Sequence, residues 1–150
     1  EEACALVKSR ADAKKISIVR ELQSDVPFFG DEAFLRQLFL IFLDNAIKYS
    51  GNGVPITVRL EQSGEQIKVH FADQGIGISE KDLPLIFERF YRAGSSYNGG
   101  PHQSGGLGLA IASAIVQVLG GSIECQSTVG SGSNFTVMLP ASTVAATLRA

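Results

Sequence analysis

With 150 residues, 45% of them hydrophobic, the chain is long enough to bury one ordinary core and sits at the common size of a single domain. A formal charge of -2 and a pI near 5.7, with no clustered basic surplus, argue against a nucleic-acid partner. Cys4 and Cys125 stand far apart without metal-ligand spacing, so they read as buried or free thiols of a reducing compartment, and no apolar run approaches the ~18 to 20 residues of a bilayer span.

The first residues do not resemble a signal peptide, which makes the expected location cytoplasmic. Residues 1 to 13 read as the end of a helix, so the chain is expected to be a piece of a longer protein. Ile16 to Leu22 alternates enough for a strand, closed by Val26-Pro27 and Gly30. Asp31 is a good N-cap for a long helix, because Leu35, Leu38, Phe39, Phe42 and Ala46 keep helical spacing as far as Ser50-Gly51-Asn52-Gly53. Ile56, Val58 and Leu60, then Ile67, Val69 and Phe71, alternate on either side of Gln62-Ser63-Gly64-Glu65 and predict a hairpin. Ser79 with Asp82 resembles a capping box for a short helix. Residues 92 to 106 hold five glycines among Ser95, Ser96, Asn98, Pro101 and Ser104, a composition that reads as a mobile lid. A helix from about Leu107 to Leu119, a strand near Ile123, a Gly130-Ser131-Gly132 turn and a last strand Phe135 to Leu139 complete the order. The domain is expected to occupy residues 1–140, with 141–150 a loose tail.

Three clusters in this order suit different parts of one ligand, ATP. Asn45, Lys48 and Tyr49 lie at i, i+3 and i+4 and share a helix face. Magnesium usually takes only one or two protein oxygens beside phosphate oxygens, so the Asn45 carboxamide is a candidate ligand. Lys48 would offset phosphate charge and Tyr49 would cover the base. Taken alone, the three read as a surface patch at a helix end. Asp73 closes a strand ahead of Gly75 and Gly77, where glycine permits a sharp turn and close approach to a ligand. Its carboxylate can accept the exocyclic amine of adenine and would be left unpaired by guanine. Alone, this is an ordinary Asp-x-Gly turn. Gly106-Leu107-Gly108-Leu109 places free N–H groups at a helix N-terminus, a setting that favours phosphate. No Gly-Lys-Ser/Thr comes after it, so it is not a Walker loop, and no strand precedes it as a dinucleotide fingerprint requires.

Asn45-Ala46 with Lys48-Tyr49, then Asp73-x-Gly75-x-Gly77, then Phe87-Glu88-Arg89-Phe90-Tyr91-Arg92, then Gly106-Leu107-Gly108-Leu109-Ala110-Ile111 resemble the N box, first glycine box, F box and second glycine box of sensor histidine kinases. Gly130-x-Gly132-Ser133-Asn134-Phe135 through Leu139-Pro140 is similar to the family's last strands. That family shares a superfamily with gyrase, the ninety-kilodalton chaperone and mismatch-repair ATPases. The resemblance implies an α/β (α+β) two-layer sandwich of the Bergerat type, with helices on one face of a mixed sheet and a glycine-rich ATP lid. It implies ATP contacts from Asn45, Lys48, Tyr49, Asp73, Gly75, Gly77, Ile78, Phe90, Ser104, Gly105, Gly106, Leu107, Gly108, Leu109 and Ser133, with Mg2+ on Asn45. Catalytic roles fall to Asn45, Lys48 and Arg92, the last as a candidate for the γ-phosphate.

The resemblance also implies a phosphoacceptor histidine on a separate helical hairpin of the same protein, a response regulator downstream, a homodimeric full-length protein and an inner-membrane anchor. His70, in a strand, reads as an ordinary sheet residue, and His102 as a solvated loop position. Two departures stand out. Ile41 occupies the site where the family has a second Asn and gyrase-like ATPases have a catalytic Glu, which argues against gyrase-style hydrolysis and puts an apolar side chain toward the phosphates. Ser104 and Gly105 depart from the usual opening of the second glycine box. The alternatives are a degenerate binding module without transfer, supported by these two departures, and an anti-sigma-type serine kinase, disfavoured by the F-box match.

Overall fold

The computed structural model describes residues 1–93 and 106–141. In chain order the elements are α1 (Glu2–Ala13), β1 (Ile18–Leu22), α2 (Glu32–Tyr49), β2 (Ile56–Ser63), β3 (Gln66–Asp73), α3 (Gly108–Val118), β4 (Ser122–Thr128) and β5 (Gly132–Pro140). The strands form one mixed sheet in the order β1-β2-β3-β5-β4, parallel between β1 and β2 and antiparallel elsewhere.

Period-two alternation decides which face is covered. Ile56 and Val58, Ile67, Val69 and Phe71, and Phe135, Val137 and Leu139 are all buried, whereas Arg59, Lys68, His70 and Thr136 occupy the opposite, more open face. The helices therefore pack on one side only, as the resemblance implied. On α2, Leu38, Phe42, Leu43, Ala46 and Ile47 form the buried stripe. Phe42 stacks on Phe71 with ring centroids 5.1 Å apart and meets Phe135 at 5.3 Å; Phe87 meets Phe135 edge-on at 6.4 Å. This aromatic chain ties the helix, the two central strands and the Phe87 segment into one core. Such pairs add about 0.5–1.5 kcal/mol each beyond area burial.

The Asp31 side chain accepts the N–H groups of Ala33 (2.8 Å) and Phe34 (3.3 Å), so the expected N-cap is real. Asp31→Ala should cost about 1 kcal/mol of unfolding free energy in a denaturant titration, while Asp31→Ser should restore most of it. The hairpin falls between Ser63 and Gln66, and the first strand begins at Ile18 rather than Ile16. Ser79 does bond the Asp82 N–H (3.3 Å) and carboxylate (2.6 Å), but the helix that follows is only a single 3-10 turn, Leu83–Leu85, whose N-cap is Asp82 with no side-chain cap bond. Ala141 is buried and donates its N–H to the Glu65 carbonyl at 2.8 Å, so packing runs one residue past the expected boundary. Residues 94–105 of the lid expected over 92–106, with His102, and the rest of the expected tail, 142–150, lie outside the described residues.

Candidate functional site

A cleft of about 450 Å³ opens between the end of α2, the loop after β3, the segment 79–93 and the start of α3. That volume falls in the range of small-molecule sites. Its lining unites Asn45, Tyr49, Asp73, Gly77, Ile78, Arg92, Leu109 and Ser133 from the sequence-predicted set.

Asp73 Oδ1 accepts the Gly75 N–H at 2.8 Å and the Ser133 N–H at 3.3 Å. With Oδ1 held by two amides, Oδ2 is the oxygen left for a ligand donor. Burial raises the Asp73 pKa above the ordinary carboxylate value, and the two backbone hydrogen bonds offset part of that shift. A desolvated acceptor with one unused oxygen, on the wall of a cleft, is suited to choosing between ligands that do and do not donate there. Ile78 donates its N–H to Ser127 Oγ (2.7 Å), and Ser127 Oγ also meets Ser133 Oγ at 2.8 Å, so the floor of the cleft is stitched to β4 and β5.

Gly77 makes the expected sharp turn with a positive φ, and both glycines are also crowded by backbone. A Cβ on Gly75 would overlap the Tyr49 carbonyl oxygen, and one on Gly77 (φ +71) would overlap the Thr128 carbonyl and come within 2.9 Å of Val129 Cα. The protein's own backbone leaves no room for a side chain at either position, because the loop is threaded between the end of α2 and the β4–β5 turn. Ile76 N–H donates to the Tyr49 carbonyl (3.3 Å), and the Ile76 carbonyl accepts the Gly130 N–H (2.8 Å). At the rim, Ile76 and Val129 leave 64% and 66% of their surface exposed.

Of the helix trio, Asn45 and Tyr49 enter the cleft and Lys48 does not line it; its ammonium lies 5.0 Å from the Tyr49 ring centroid, a cation–π contact. Phe90 is also absent from the lining. It adopts a left-handed backbone (φ +64), is 69% exposed, and bonds its N–H to the Gly106 carbonyl at 3.0 Å. Gly75, Gly106, Leu107 and Gly108 frame the cleft without lining it, and Ser104 and Gly105 lie outside the described residues. Ile41 is part-buried against the core and faces Gly108, where a Cβ would sit 3.5 Å from Ile41 Cγ2. It thus underlies the start of α3 and is not in the cleft wall.

Among the described residues no side chain caps the N-terminus of α3, and no acidic residue stands in its first turn. The N–H groups of a helix start are donors suited to an anion, and Leu109 of this turn lines the cleft. Among the described residues no group of three or more His, Cys, Asp or Glu is placed to hold a metal. A cation here would rest on the Asn45 oxygen together with oxygens of the ligand, as suits magnesium.

Asp82 and Tyr91 were missed by the sequence reasoning. Asp82 is buried, accepts from Ser79 Oγ, and takes a short hydrogen bond from the Tyr91 hydroxyl. That bond is the largest cause of the raised Tyr91 pKa. The Tyr in Phe90-Tyr91-Arg92 was the available signal, though its partner is nine residues away. Cys125, beside the site on β4, is a free thiol pushed up to about 12 by burial, with the Asp73 charge adding to the effect, and so stays protonated. His70 lies on the open sheet face, where Nδ1 meets Thr136 Oγ1 at 3.0 Å and Nε2 meets Glu61 Oε1 at 3.4 Å, which fits an ordinary sheet residue.

Residues 30–143 match the family described as histidine kinase-, DNA gyrase B- and HSP90-like ATPase. Over 104 residues, 69% of the chain, it is 45% identical to the signal transduction histidine-protein kinase ArlS of Staphylococcus aureus and spans 23% of that protein's length. The mycobacterial sensor histidine kinase MprB superposes with a TM-score of 0.78 at 28% identity, over 92% of both chains. Full-length ShkA, solved with AMPPNP, gives a TM-score of 0.79 at 28% identity over 93% of this chain and 28% of that one. Fold, cleft and sequence agree: the chain belongs to the histidine kinase-, gyrase B- and HSP90-like ATPases and is homologous to the catalytic ATP-binding domains of sensor histidine kinases.

Proposed function

We propose that this chain binds magnesium-ATP in the described cleft and transfers the γ-phosphoryl group to a histidine on a separate helical hairpin of the same protein. The observation that carries the reading is the gathering of three unlike groups on one cleft: the Asp73 carboxylate, the Asn45 carboxamide and the uncapped start of α3. Asp73 Oδ2 would accept the adenine amine, Tyr49 and Ile76 would flank the base, and the α3 N–H groups would take phosphate oxygens. Asn45 would hold Mg2+, which supplies charge neutralisation on the phosphates. Arg92, exposed at the cleft edge, is the candidate for the γ-phosphate. In the transfer, the bond from the γ-phosphorus to the β–γ bridging oxygen breaks, a bond to the histidine nitrogen forms, and ADP leaves. Positioning and electrostatics are what the protein contributes to such a step. The AMPPNP bound to ShkA is in keeping with this occupant.

The whole protein would be a homodimeric two-component sensor, passing the phosphoryl group to a response regulator, with this domain on the cytoplasmic side of an inner-membrane anchor. Among the described residues no helix is long and apolar enough to cross a membrane. A binding-only reading finds support in Ile41, whose apolar contact with Gly108 leaves one polar group fewer near the α3 start.

One experiment separates the two readings. The chain is mixed with γ-labelled ATP, Mg2+ and the purified hairpin, and acid-labile, base-stable label on the hairpin is measured. Label transfer is expected; stoichiometric ATP binding without transfer would favour the binding module. Asn45→Ala should remove the magnesium-dependent part of ATP affinity, leaving metal-free ADP binding within about twofold, as an interaction made only through the metal would. Unchanged magnesium dependence in calorimetry would place the metal elsewhere.

A further inference from the structure

A helix end leaves its last carbonyls without intrahelical partners, and each must find a donor. For α2 the partners are fully accounted for. The Ala46 carbonyl takes the Ser50 N–H (3.0 Å), and the Tyr49 carbonyl takes the Ile76 N–H (3.3 Å). The other acceptors converge on one cation: Lys14 Nζ donates to the carbonyls of Ile47 (2.7 Å), Lys48 (3.0 Å) and Ser50 (3.2 Å). An ammonium has three donor hydrogens, and here three carbonyls meet it. Its positive charge also faces the negative pole of the helix. Lys14 is itself fixed at both ends, since its N–H bonds the Ala11 carbonyl and its carbonyl takes the Gly53 N–H at 2.9 Å.

Lys14 lies outside the cleft lining, yet it holds the segment from which Asn45 and Tyr49 enter it. The same segment passes the restraint onward: Tyr49 carbonyl to Ile76 N–H, then Ile76 carbonyl to Gly130 N–H, runs along the cleft edge from α2 to the β4–β5 turn. We propose that Lys14 is a positioning residue for the nucleotide site, setting the end of α2 and, through the Tyr49–Ile76 bond, the loop beside the base. This rests on the reading of the cleft as an ATP site.

Lys14→Met keeps the aliphatic stem and removes the donors; Lys14→Arg keeps charge and donors. Both are compared with the unaltered chain by thermal melting, by amide resonances of Gly75, Ile76 and Gly77, and by ATP calorimetry well below every melting point. For Lys14→Met the expectation is an ATP dissociation constant raised about fivefold to tenfold, the effect of loosening hydrogen bonds to a charged group. The three amide resonances should shift, and Lys14→Arg, which keeps the charge but replaces a compact ammonium by a planar fork, should recover both readouts only in part. A folded Lys14→Met chain with unmoved resonances and unchanged affinity would overturn the proposal, as would a lowered melting point alone. If the unaltered chain binds no ATP, the reading of the cleft fails. The amide shifts then report by themselves whether Lys14 sets the loop.

Discussion

Asp73→Asn should lower ATP affinity by about 1–3 kcal/mol while leaving the melting temperature at neutral pH unchanged or higher. The two halves of this expectation have one cause. Asn retains an Oδ1 that can accept from Gly75 and Ser133, so the loop keeps its anchors. What changes is the free oxygen, which in Asn becomes an amide nitrogen that meets the adenine amine donor to donor. Burial raises the Asp73 pKa, so the ionised form costs stability in the folded chain relative to the protonated form. For a raised carboxylate pKa, stability is greatest below the unfolded value and declines as pH climbs through the folded one. At neutral pH the native chain therefore carries the cost and the Asn variant does not. Acidification should also weaken ATP binding in the native chain, starting at a higher pH than an exposed carboxylate near ~3.9 would give, with no such step in Asp73→Asn. A variant that melts well below the native chain would mean that the carboxylate's charge is structural.

Gly77→Ala should cost about 3–5 kcal/mol of stability. The left-handed φ of +71 alone disfavours a side chain by ~1–2 kcal/mol. The remainder comes from the overlap of the new Cβ with the Thr128 carbonyl, backbone that is pinned by the β4–β5 turn and cannot swing aside. Gly64 provides the control. It has a comparable φ of +59 in the β2–β3 turn but open space around its Cβ site, so Gly64→Ala should show only the ~1–2 kcal/mol conformational part. Denaturant midpoints measure both; equal losses at the two positions would show that the approach to Thr128 is not what Gly77 is needed for.

Legibility in the sequence tracks locality. The Asp31 cap, the α2 stripe and the β2–β3 hairpin depend on spacing within a few residues, and each stands where spacing put it. The helix trio was half legible. Helical periodicity puts Asn45, Lys48 and Tyr49 on a common side, but only the tertiary structure shows that Asn45 and Tyr49 line the cleft while the Lys48 ammonium lies over the Tyr49 ring. The glycine pair was half legible: the sharp turn is local and Gly77 makes it with a positive φ, but the crowding backbone at Thr128 is about fifty residues downstream and no local pattern announces it. Lys14 reads as one more surface lysine at the end of α1, and its three acceptors are 33 to 36 residues away. Ile41 showed its apolar character in the sequence, whereas its contact with Gly108 required knowing how α3 crosses α2. The Tyr91–Asp82 bond was hidden in the same way, since an irregular segment carries no period from which a pairing can be inferred.

If the cleft is an adenine-nucleotide site, calorimetric titration of the unaltered chain with ATP and with GTP, each in the presence of Mg2+, should show saturable one-to-one binding of ATP and at least about tenfold weaker binding of GTP, whose carbonyl would face the desolvated Asp73 oxygen acceptor to acceptor. Equal affinity for the two nucleotides, or heat from neither, would contradict it.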